Sequence, residues 1–541
     1  MKLNIAPLDL AIILVYLVGI LIIGIVSTRR QSMSSENYFL AGRGLGWISI
    51  GAALFASNIS TIHLTGLAAD GFRLGLVVGN FEWMASFTLV LLAVIFAPFY
   101  FRTKISTLPE FLEKRYDSRS RTFLAFMAVI GALFIHIGIS LYAGAVVFQN
   151  FFGLNVYFSI LVISIVTTIY TVVGGLRAVV ITENVQTVIL IAGSCILTVL
   201  AILAVRDIGI LGIEDLKLAL KPDQFEMLHS SGSVIGKNNG YTWYAFFLGY
   251  PVLGIWYWCT DQTIVQRVLG AKTERDAQLG PLFAGILKIL PVFIIILPGI
   301  LAFVLFEKQI ATPNDTLPVL INELLPVGLK GIFAAALLAA LMSTIAAALN
   351  SCSSLVAVDI LKRLNPNVSD DRMVKVGRYT AVLVMILAIL WSTQGGKFDS
   401  IFQAINDMAG GIAPPISTVF LLGIFWRRGT KEASFITLIF GFVIGIFLFL
   451  IDFDTISGTK YISDGLGIHF LMRTWWVFCL CCFVFVIVSY LTPAPKKDQV
   501  EQITWDGPKE IFSLRVERWS DPRVLAGTLI LLVVILYCLL G

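Results

Sequence analysis

Apolar residues in this chain come in long blocks of roughly 20, the length that an α-helix needs to cross about 30 Å of hydrocarbon. Hydrophobic residues make up 57% of the 541 residues, and charged residues make up only 13%. Soluble domains carry about 25% charged residues, so this chain has too little polar surface to face water on all sides. We therefore predict an all-α polytopic membrane protein.

Fourteen blocks are long enough to span a bilayer. They cover residues 8–28, 46–70, 75–101, 122–149, 155–174, 184–205, 241–262, 280–306, 328–361, 376–395, 399–424, 433–451, 468–491 and 523–540. Only Lys2 precedes the first block as a cation, and no small-residue cleavage site precedes Arg29. We expect this block to remain as a helix rather than to act as a secretory signal.

The distribution of basic residues agrees with this number of spans. If the N-terminus is external, 27 of the 39 Lys and Arg residues fall in alternate loops, as expected for cytoplasmic loops. An even number of spans then places the N- and C-termini outside a cell membrane, either a plasma or an inner membrane. The basic residues form no single patch, so we do not expect nucleic acid as a partner.

Two spans contain residues that break helices. Small or polar residues occupy five of the six positions 56–61 in the second span. Gly249, Pro251 and Gly254 interrupt the seventh span, where proline removes a backbone hydrogen bond. Broken helices five spans apart are typical of transporters that have two inverted repeats and a binding site near mid-membrane.

Ionisable residues at membrane depth cost about 2.5–3.5 kcal/mol each on insertion scales, so each needs a partner or a wet cavity. The candidates are His63, Glu82, Glu183, Asp261, Lys288 and Asp407. Glu82 and Lys288 lie well within their spans. They either pair with each other as an internal strut or line a cavity for a polyhydroxylated ligand, and both interpretations can hold together.

The ninth span carries Ala340, Ser343 and Thr344 on one helical face, because they stand at positions i, i+3 and i+4. Their carbonyl and hydroxyl oxygens suit a hard cation such as sodium. The alternative is that the hydroxyls bond to carbonyls of their own helix, as they commonly do in membranes. No metal-ligand spacing, phosphate-binding loop or nucleophile elbow is present, so we do not expect an enzyme.

Several separated motifs resemble one known family. They are the sequences at 37–43 (NYFLAGR), 174–186 (GGLRAV followed by TENVQ) and 256–262 (WYWCTDQ). These segments closely resemble the sodium/solute symporter family, and its sodium/glucose cotransporter branch in particular. The resemblance extends from about residue 38 to residue 428.

The resemblance implies a LeuT-type core of ten helices in two inverted repeats, formed by spans two to eleven. The implied division is an extra N-terminal helix and cytoplasmic loop at 1–45, a first repeat at 46–205, an extracellular loop at 206–240, a second repeat at 241–424, and three additional helices with a cytoplasmic linker at 425–541.

The resemblance also implies a sodium site between the first break and the ninth span. Its residues are Ala56, Ile59, Ala340, Ser343 and Thr344. Some relatives hold a second sodium with hydroxyls and an aspartate, but the matching positions here are Ala346, Ala347 and Glu183. We therefore predict one sodium ion per sugar.

The sugar site of such relatives maps onto polar and aromatic residues from several spans. The implied ligands are Asn58, His63, Glu82, Tyr257, Trp258, Lys288 and Asn406, with Phe81, Leu67 and Phe402 as apolar walls. Tyr257 resembles the aromatic gate on the inner side of the sugar. Asn406 stands where most sugar-carrying relatives have glutamine. The resemblance therefore does not decide which hydroxyl group of the sugar this amide contacts.

These features together predict a sodium-coupled symporter that imports a neutral monosaccharide of the glucose or galactose type by alternating access. The expected partners are sodium, the sugar and the lipid bilayer, with the monomer as the functional unit. Two alternatives remain open. One is symport of inositol or another small organic solute, and the other is a sugar sensor or ligand-gated ion leak.

Overall fold

The computed structural model describes residues 6–29, 34–153, 155–394, 401–452, 458–496, 500–501, 503–505 and 520–541. For residues 150–152 and 401–404 it describes the backbone alone. Within these ranges the chain is all-helical, and the only strand-like pairing is an isolated bridge between Leu45 and Ala271. The predicted fold class is therefore confirmed at the level of an all-α chain.

We number the helices that form or adjoin the predicted spans in chain order. They are α1 (Pro7–Val26), α2 (Trp47–Asn58), α3 (Thr61–Leu74), α4 (Asn80–Leu91, continuing to residue 103), α5 (Ser118–Gln149), α6 (Val156–Asp207), α7 (Trp243–Gly254, continuing to residue 260), α8 (Gln262–Leu269), α9 (Glu274–Phe306), α10 (Leu329–Leu364), α11 (Asp370–Ser392), α12 (Ile401–Phe425), α13 (Lys431–Ile451), α14 (Phe470–Leu491) and α15 (Pro522–Leu540).

Eleven helical stretches in the described part of the chain are long and apolar enough to cross a membrane. Two of them are much longer than one crossing requires. The stretch Val156–Asp207 has 52 residues and covers the predicted spans at 155–174 and 184–205 apart from residue 155. The stretch Thr61–Thr103 has 43 residues and covers the end of the span at 46–70 and all of the span at 75–101. The polytopic membrane character is thus confirmed, whereas the number of fourteen crossings remains a prediction.

The first predicted break lies where the sequence places it. Helix α2 ends at Asn58, and Ile59 has extended backbone angles (φ −75°, ψ 97°). Ser60 is also extended (φ −93°, ψ 170°), and α3 begins at Thr61. Two extended residues between two buried helices leave peptide groups without helical partners, so this segment can offer backbone oxygens to a ligand.

The second break lies elsewhere than predicted. Helix α7 runs through Pro251 to Gly254 and continues as a π-helical turn to Thr260. The chain becomes extended only at Asp261 (φ −83°, ψ 123°), whose carboxylate accepts the Thr263 N–H at 2.7 Å and caps α8. The expectation of a break at 249–254 is therefore wrong.

The glycines of the seventh span serve close helix packing instead. A Cβ atom on Gly249 would lie 2.2 Å from the Leu471 carbonyl oxygen of α14. A Cβ atom on Gly254 would lie 2.6 Å from the Thr88 methyl group of α4. Both glycines thus allow neighbouring helices to approach α7, and this need explains their presence without any break in the helix.

Helix α10 lies at the centre of the molecule, and nearly all side chains of its apolar window are buried. It packs along α6, which bends at Gly175 because that residue has a left-handed φ of 58°. In helices α1, α13, α14 and α15, most residues of the apolar window are exposed or only partly buried. Such surfaces suit contact with lipid, so the helices that carry them form the periphery.

The last helix is tied to the site-forming helices by polar contacts. The Tyr537 hydroxyl donates to Asn80 Oδ1 at 2.8 Å, and Asn80 Nδ2 donates to the Met227 carbonyl at 2.6 Å. The Met227 N–H donates in turn to the Leu540 carbonyl at 2.8 Å. The Tyr537 ring meets Trp83 edge to face, with centroids 5.2 Å apart. Helix α15 therefore supports the start of α4, where Glu82 lies.

We expect Tyr537→Phe to lower the unfolding temperature in detergent by several degrees. The substitution leaves the buried Asn80 Oδ1 without its donor, and an unsatisfied buried polar group costs about 1–3 kcal/mol. Tyr379→Phe is the matched control, because the Tyr379 side chain is 74% exposed. Equal thermal shifts for the two variants would show that the contact with Asn80 does not stabilise the fold.

Candidate functional site

A cavity lies beside the first break. Its walls come from α3, α4, α5, α7, α9, α10, α12 and the α2–α3 break. Eight of the ten predicted substrate residues line it: Asn58, His63, Phe81, Glu82, Tyr257, Trp258, Lys288 and Asn406. The structure thus brings together side chains that lie up to 348 positions apart in the chain.

A buried ion pair forms the polar centre of this cavity. The Lys288 ammonium group donates to the Glu82 carboxylate and, at 2.6 Å, to Asn58 Oδ1. It also lies 5.6 Å from the centroid of the Trp258 ring. The side chains of Lys288 and Glu82 are 1% and 2% exposed. The two residues are thus paired as an internal strut and also line the cavity, whereas their contact with a polyhydroxylated ligand remains a prediction.

Aromatic and imidazole groups complete the wall near the break. His63 Nδ1 lies 2.9 Å from the Ser60 hydroxyl, which fixes the imidazole at the start of α3. Tyr250, which the sequence did not indicate, also lines the cavity, and its hydroxyl donates to the Phe81 carbonyl at 2.9 Å. Flat apolar faces beside convergent polar groups suit a ligand with both kinds of surface.

Two residues that were predicted to form apolar walls, Leu67 and Phe402, are not among the residues that line the cavity. Leu67 is fully buried in the main apolar core and does not line the cavity, so its expected role is not supported. It stands one helical turn beyond His63, where α3 has already left the break and packs on its neighbours. The side chain of Phe402 lies outside the described residues.

Hydroxyl and carbonyl oxygens converge on the other side of the break. The Ser343 hydroxyl lies 2.7 Å from the Ala56 carbonyl and 3.0 Å from the Ala340 carbonyl. The Thr344 hydroxyl lies 3.0 Å from the Ser57 carbonyl and 3.2 Å from the Ala340 carbonyl. The hydroxyls thus face both their own helix and the broken helix.

Ile59, another predicted sodium ligand, lies in the break itself. Ile59 is fully buried. Because its backbone is extended, its carbonyl group does not point along the helix axis as the carbonyls of α2 do. In the described part of the chain no backbone N–H donates to this carbonyl oxygen. Oxygen atoms without protons, gathered at a helix end, are the ligands that a hard cation prefers.

A second buried ion pair lies next to the break, and the sequence analysis did not foresee it. The Arg267 guanidinium donates to both oxygens of Glu183, in one case at 3.1 Å. Glu183 also accepts the Ser57 hydroxyl at 2.8 Å. The Arg267 side chain is 1% exposed, because α8 turns back into the protein. Glu183 thus meets a fixed cation, while Ala346 and Ala347 offer no side-chain oxygen.

Neither of the remaining ionisable candidates, Asp407 and Asp261, lines the cavity. Asp407 does not line the cavity, because its carboxylate is paired with Arg473 at 2.9 Å, and Arg473 also binds Asp452. His136 does line the cavity and lies 3.0 Å from the Asp261 carboxylate. No motif singles out His136, because a lone histidine in an apolar span is indistinguishable from a packed core residue.

A model of the sodium:solute symporter family matches residues 38–441 of the chain. Sodium/glucose cotransporter 4 of Mus musculus is 33% identical over 543 residues, which cover 92% of this chain and 77% of that protein. The sodium/myo-inositol cotransporter of Homo sapiens is 33% identical over 557 residues, which cover 93% of this chain and 76% of that protein.

The fold is also similar to that of a solved transporter. A Na⁺-coupled sialic acid symporter in a substrate-bound, outward-open state superposes with a TM-score of 0.78 at 22% sequence identity, covering 91% of this chain and all of that one. At this identity the likeness concerns the fold alone. The chain shares its helical architecture with that transporter.

Proposed function

The chain belongs to the sodium:solute symporter family, and on that premise we propose that it imports a neutral monosaccharide of the glucose or galactose type together with sodium. It is a sodium-coupled transporter and not an enzyme. The finer assignment rests on one observation: the buried Lys288–Glu82 pair and Asn58 face the same cavity. Their hydrogen-bonding groups carry little net charge, so they suit a ligand rich in hydroxyls and free of charge.

We propose that the sodium ion lies among the oxygens of Ala56, Ile59, Ala340, Ser343 and Thr344. Asn58 belongs to the same short break, so a cation that orders the break also orders a sugar ligand. Coupling then follows from the different affinity of the two states for each ligand. The proposal is supported by the converging carbonyl and hydroxyl oxygens, which are already within 2.7–3.2 Å of one another.

One sodium ion per sugar is the proposed stoichiometry. Arg267 provides a fixed positive charge beside Glu183, where some relatives were expected to use an aspartate for a second ion. A tenfold sodium gradient supplies about 1.4 kcal/mol and a potential of 100 mV about 2.3 kcal/mol per charge. One ion therefore supports at most about 500-fold accumulation.

Alternating access needs two halves that rock about the site. We propose ten core helices in two inverted repeats at 46–205 and 241–424, fourteen crossings in total, and external termini. The broken segments at Ile59–Ser60 and at Asp261 support this proposal, because one falls in each proposed repeat. The long bent helix α6 accounts for two crossings of the first repeat.

Inositol symport is the main alternative, because several features of the site do not depend on a sugar ring. The human relative at 33% identity is named a sodium/myo-inositol cotransporter. Asn406, which lines the cavity, is shorter by one methylene than the glutamine expected of most sugar carriers. A sensor or ligand-gated leak is the alternative from another class.

The decisive experiment is counterflow of labelled glucose, galactose and myo-inositol into proteoliposomes, with and without sodium. We expect sodium-dependent accumulation of a monosaccharide that exceeds that of myo-inositol. Preferential accumulation of myo-inositol would replace the sugar assignment. A sugar-evoked current without accumulation of any label would identify a sensor or leak instead.

A further inference from the structure

A short piece of the polar linker between α14 and α15 is buried against the rest of the protein. We call its described residues, 500–501 and 503–505, the linker strap. Val500 is 2% exposed and Trp505 is 8% exposed. Neither the proposed sodium site nor the proposed sugar site uses these residues. A linker that only connects two helices has no need to bury a tryptophan, so this contact needs a separate explanation.

The strap is tied to the end of α12. The Trp505 N–H donates to the Ile424 carbonyl at 3.0 Å, one of the last carbonyls of the helix, which have no helical partner. The Thr504 hydroxyl accepts from Arg427 Nε at 3.3 Å and donates to the Val500 carbonyl at 2.9 Å. The strap is therefore a compact turn that main-chain and hydroxyl contacts hold on α12.

The ring of Trp505 reaches the end of α4 instead. Its centroid lies 6.4 Å from that of Phe99, and the Arg102 guanidinium lies 5.9 Å from the centroid of the indole ring. The indole Nε1 is buried and has no hydrogen-bond partner among the described residues. An unsatisfied buried N–H weakens the docked state, which suits a contact that is released and formed again.

The two helix ends that Trp505 joins lie on the side that we propose as cytoplasmic. Residues 102–121 and 496–523 contain six Lys or Arg residues each, as expected of cytoplasmic segments. Helix α4 belongs to the first proposed repeat and α12 to the second. Alternating access rocks one repeat against the other, so an opening on this side changes the contacts of the strap with α4 or with α12.

We infer that the linker strap is a latch, which holds the cytoplasmic ends of α4 and α12 together and so disfavours the inward-open state. This inference rests on the proposed function. The main chain keeps the strap on α12, whereas the indole ring supplies the contacts with α4. Loss of the ring should therefore release α4 and increase the inward-open population. The apparent affinity of each face for sodium follows the fraction of protein that is open to that face.

The test is the sodium dependence of labelled-glucose uptake into right-side-out and inside-out membrane vesicles, which present the external and the cytoplasmic face. We expect Trp505→Ala to raise the sodium concentration for half-maximal uptake at the external face by at least about 3-fold and to lower it at the cytoplasmic face. Trp505→Phe keeps a ring beside Phe99 and Arg102 and should shift both values less. Trp476→Ala is the matched control, because Trp476 is 60% exposed on α14, and it should keep the parent values.

A second variant tests the same contact without shortening the strap. Arg102→Gln removes the cation beside the indole ring and should shift both values in the same directions as Trp505→Ala, by about 2-fold. Arg102 also pairs with Glu274 at 3.1 Å, so Glu274→Gln is its control. That control removes the ion pair, keeps the contact with the ring and should leave both values as in the parent.

Three outcomes would overturn the inference. Parent values at both faces in Trp505→Ala and Arg102→Gln would show that the strap does not restrain opening. Shifts in the same direction at both faces, or a lower maximal rate alone, would assign Trp505 a purely structural role. Equal shifts in either control would exclude a specific contact with α4. These three outcomes leave the proposed function intact, whereas it would itself fail if the unmodified protein took up no neutral sugar or polyol.

Discussion

Glu82→Ala is expected to abolish sodium-driven sugar uptake and also to lower the unfolding temperature. The substitution removes the carboxylate that neutralises Lys288 in a site where both side chains are almost fully buried. Breaking one partner of a buried pair costs about 3–5 kcal/mol, because the remaining charge stays uncompensated. Losing a hydrogen bond to a charged group costs the ligand a further 1.5–3 kcal/mol or so. Uptake assays and thermal unfolding measure the two effects separately.

A double variant distinguishes a ligand-binding pair from a strut. Glu82→Gln combined with Lys288→Met removes both charges and keeps similar side-chain volumes, which is often neutral for stability. We expect this variant to regain most of the lost unfolding temperature and to remain stabilised by sodium, whose proposed ligands are elsewhere. Sugar uptake should stay absent. Sugar uptake near the parent rate would assign Glu82 and Lys288 a purely structural role.

The first break could be found from the sequence because its physical cause is local. Residues 56–61 contain five small or polar positions, which pack poorly in a continuous apolar helix, and the chain is extended at Ile59 and Ser60. The facing hydroxyls of Ser343 and Thr344 were equally visible from helical spacing alone. Periodicity and composition carry this kind of information, because both report on single helices.

The sequence analysis predicted the second break at the wrong position, because glycine and proline can either interrupt a membrane helix or allow a neighbouring helix to pack closely against it. Gly249 and Gly254 make room for α14 and α4, a requirement that depends on distant residues. Asp261 carried the better signal, since an aspartate that follows an apolar run is a common helix cap. The sequence analysis treated Asp261 only as an ionisable residue at membrane depth and did not consider it as a helix cap.

The ion pairs around the site mark the limit of single-sequence reasoning. Arg267 lies near other basic residues of the sequence, a position that is typical of a cytoplasmic loop. Its pairing with Glu183, 84 positions earlier, depends on how α8 turns against α6. Tertiary packing of this kind leaves no periodic trace in the sequence. His136 was missed for the same reason, since only the fold brings it to the cavity.

Ser343→Ala is expected to raise the sodium concentration for half-maximal uptake by about 10- to 100-fold. The hydroxyl oxygen lies 2.7 Å from the Ala56 carbonyl and 3.0 Å from the Ala340 carbonyl, at the centre of the proposed ion site. A polar contact with a charged group contributes about 1.5–3 kcal/mol, which converts to this range of affinity. The maximal rate at saturating sodium should change much less, because the proposed sugar ligands are unaltered. Uptake measured over a range of sodium concentrations gives both quantities.

Ser351→Ala is the matched control for this variant. Ser351 lies on the same helix α10, is 1% exposed, and its hydroxyl has no hydrogen-bond partner among the described residues. Removing that hydroxyl should leave the sodium dependence of uptake as in the parent. If both alanine variants show the parent dependence, the oxygens beside the break do not bind the coupling ion. If both shift alike, the effect belongs to general packing of α10, and only a shift confined to Ser343 supports an ion between the broken helix and α10.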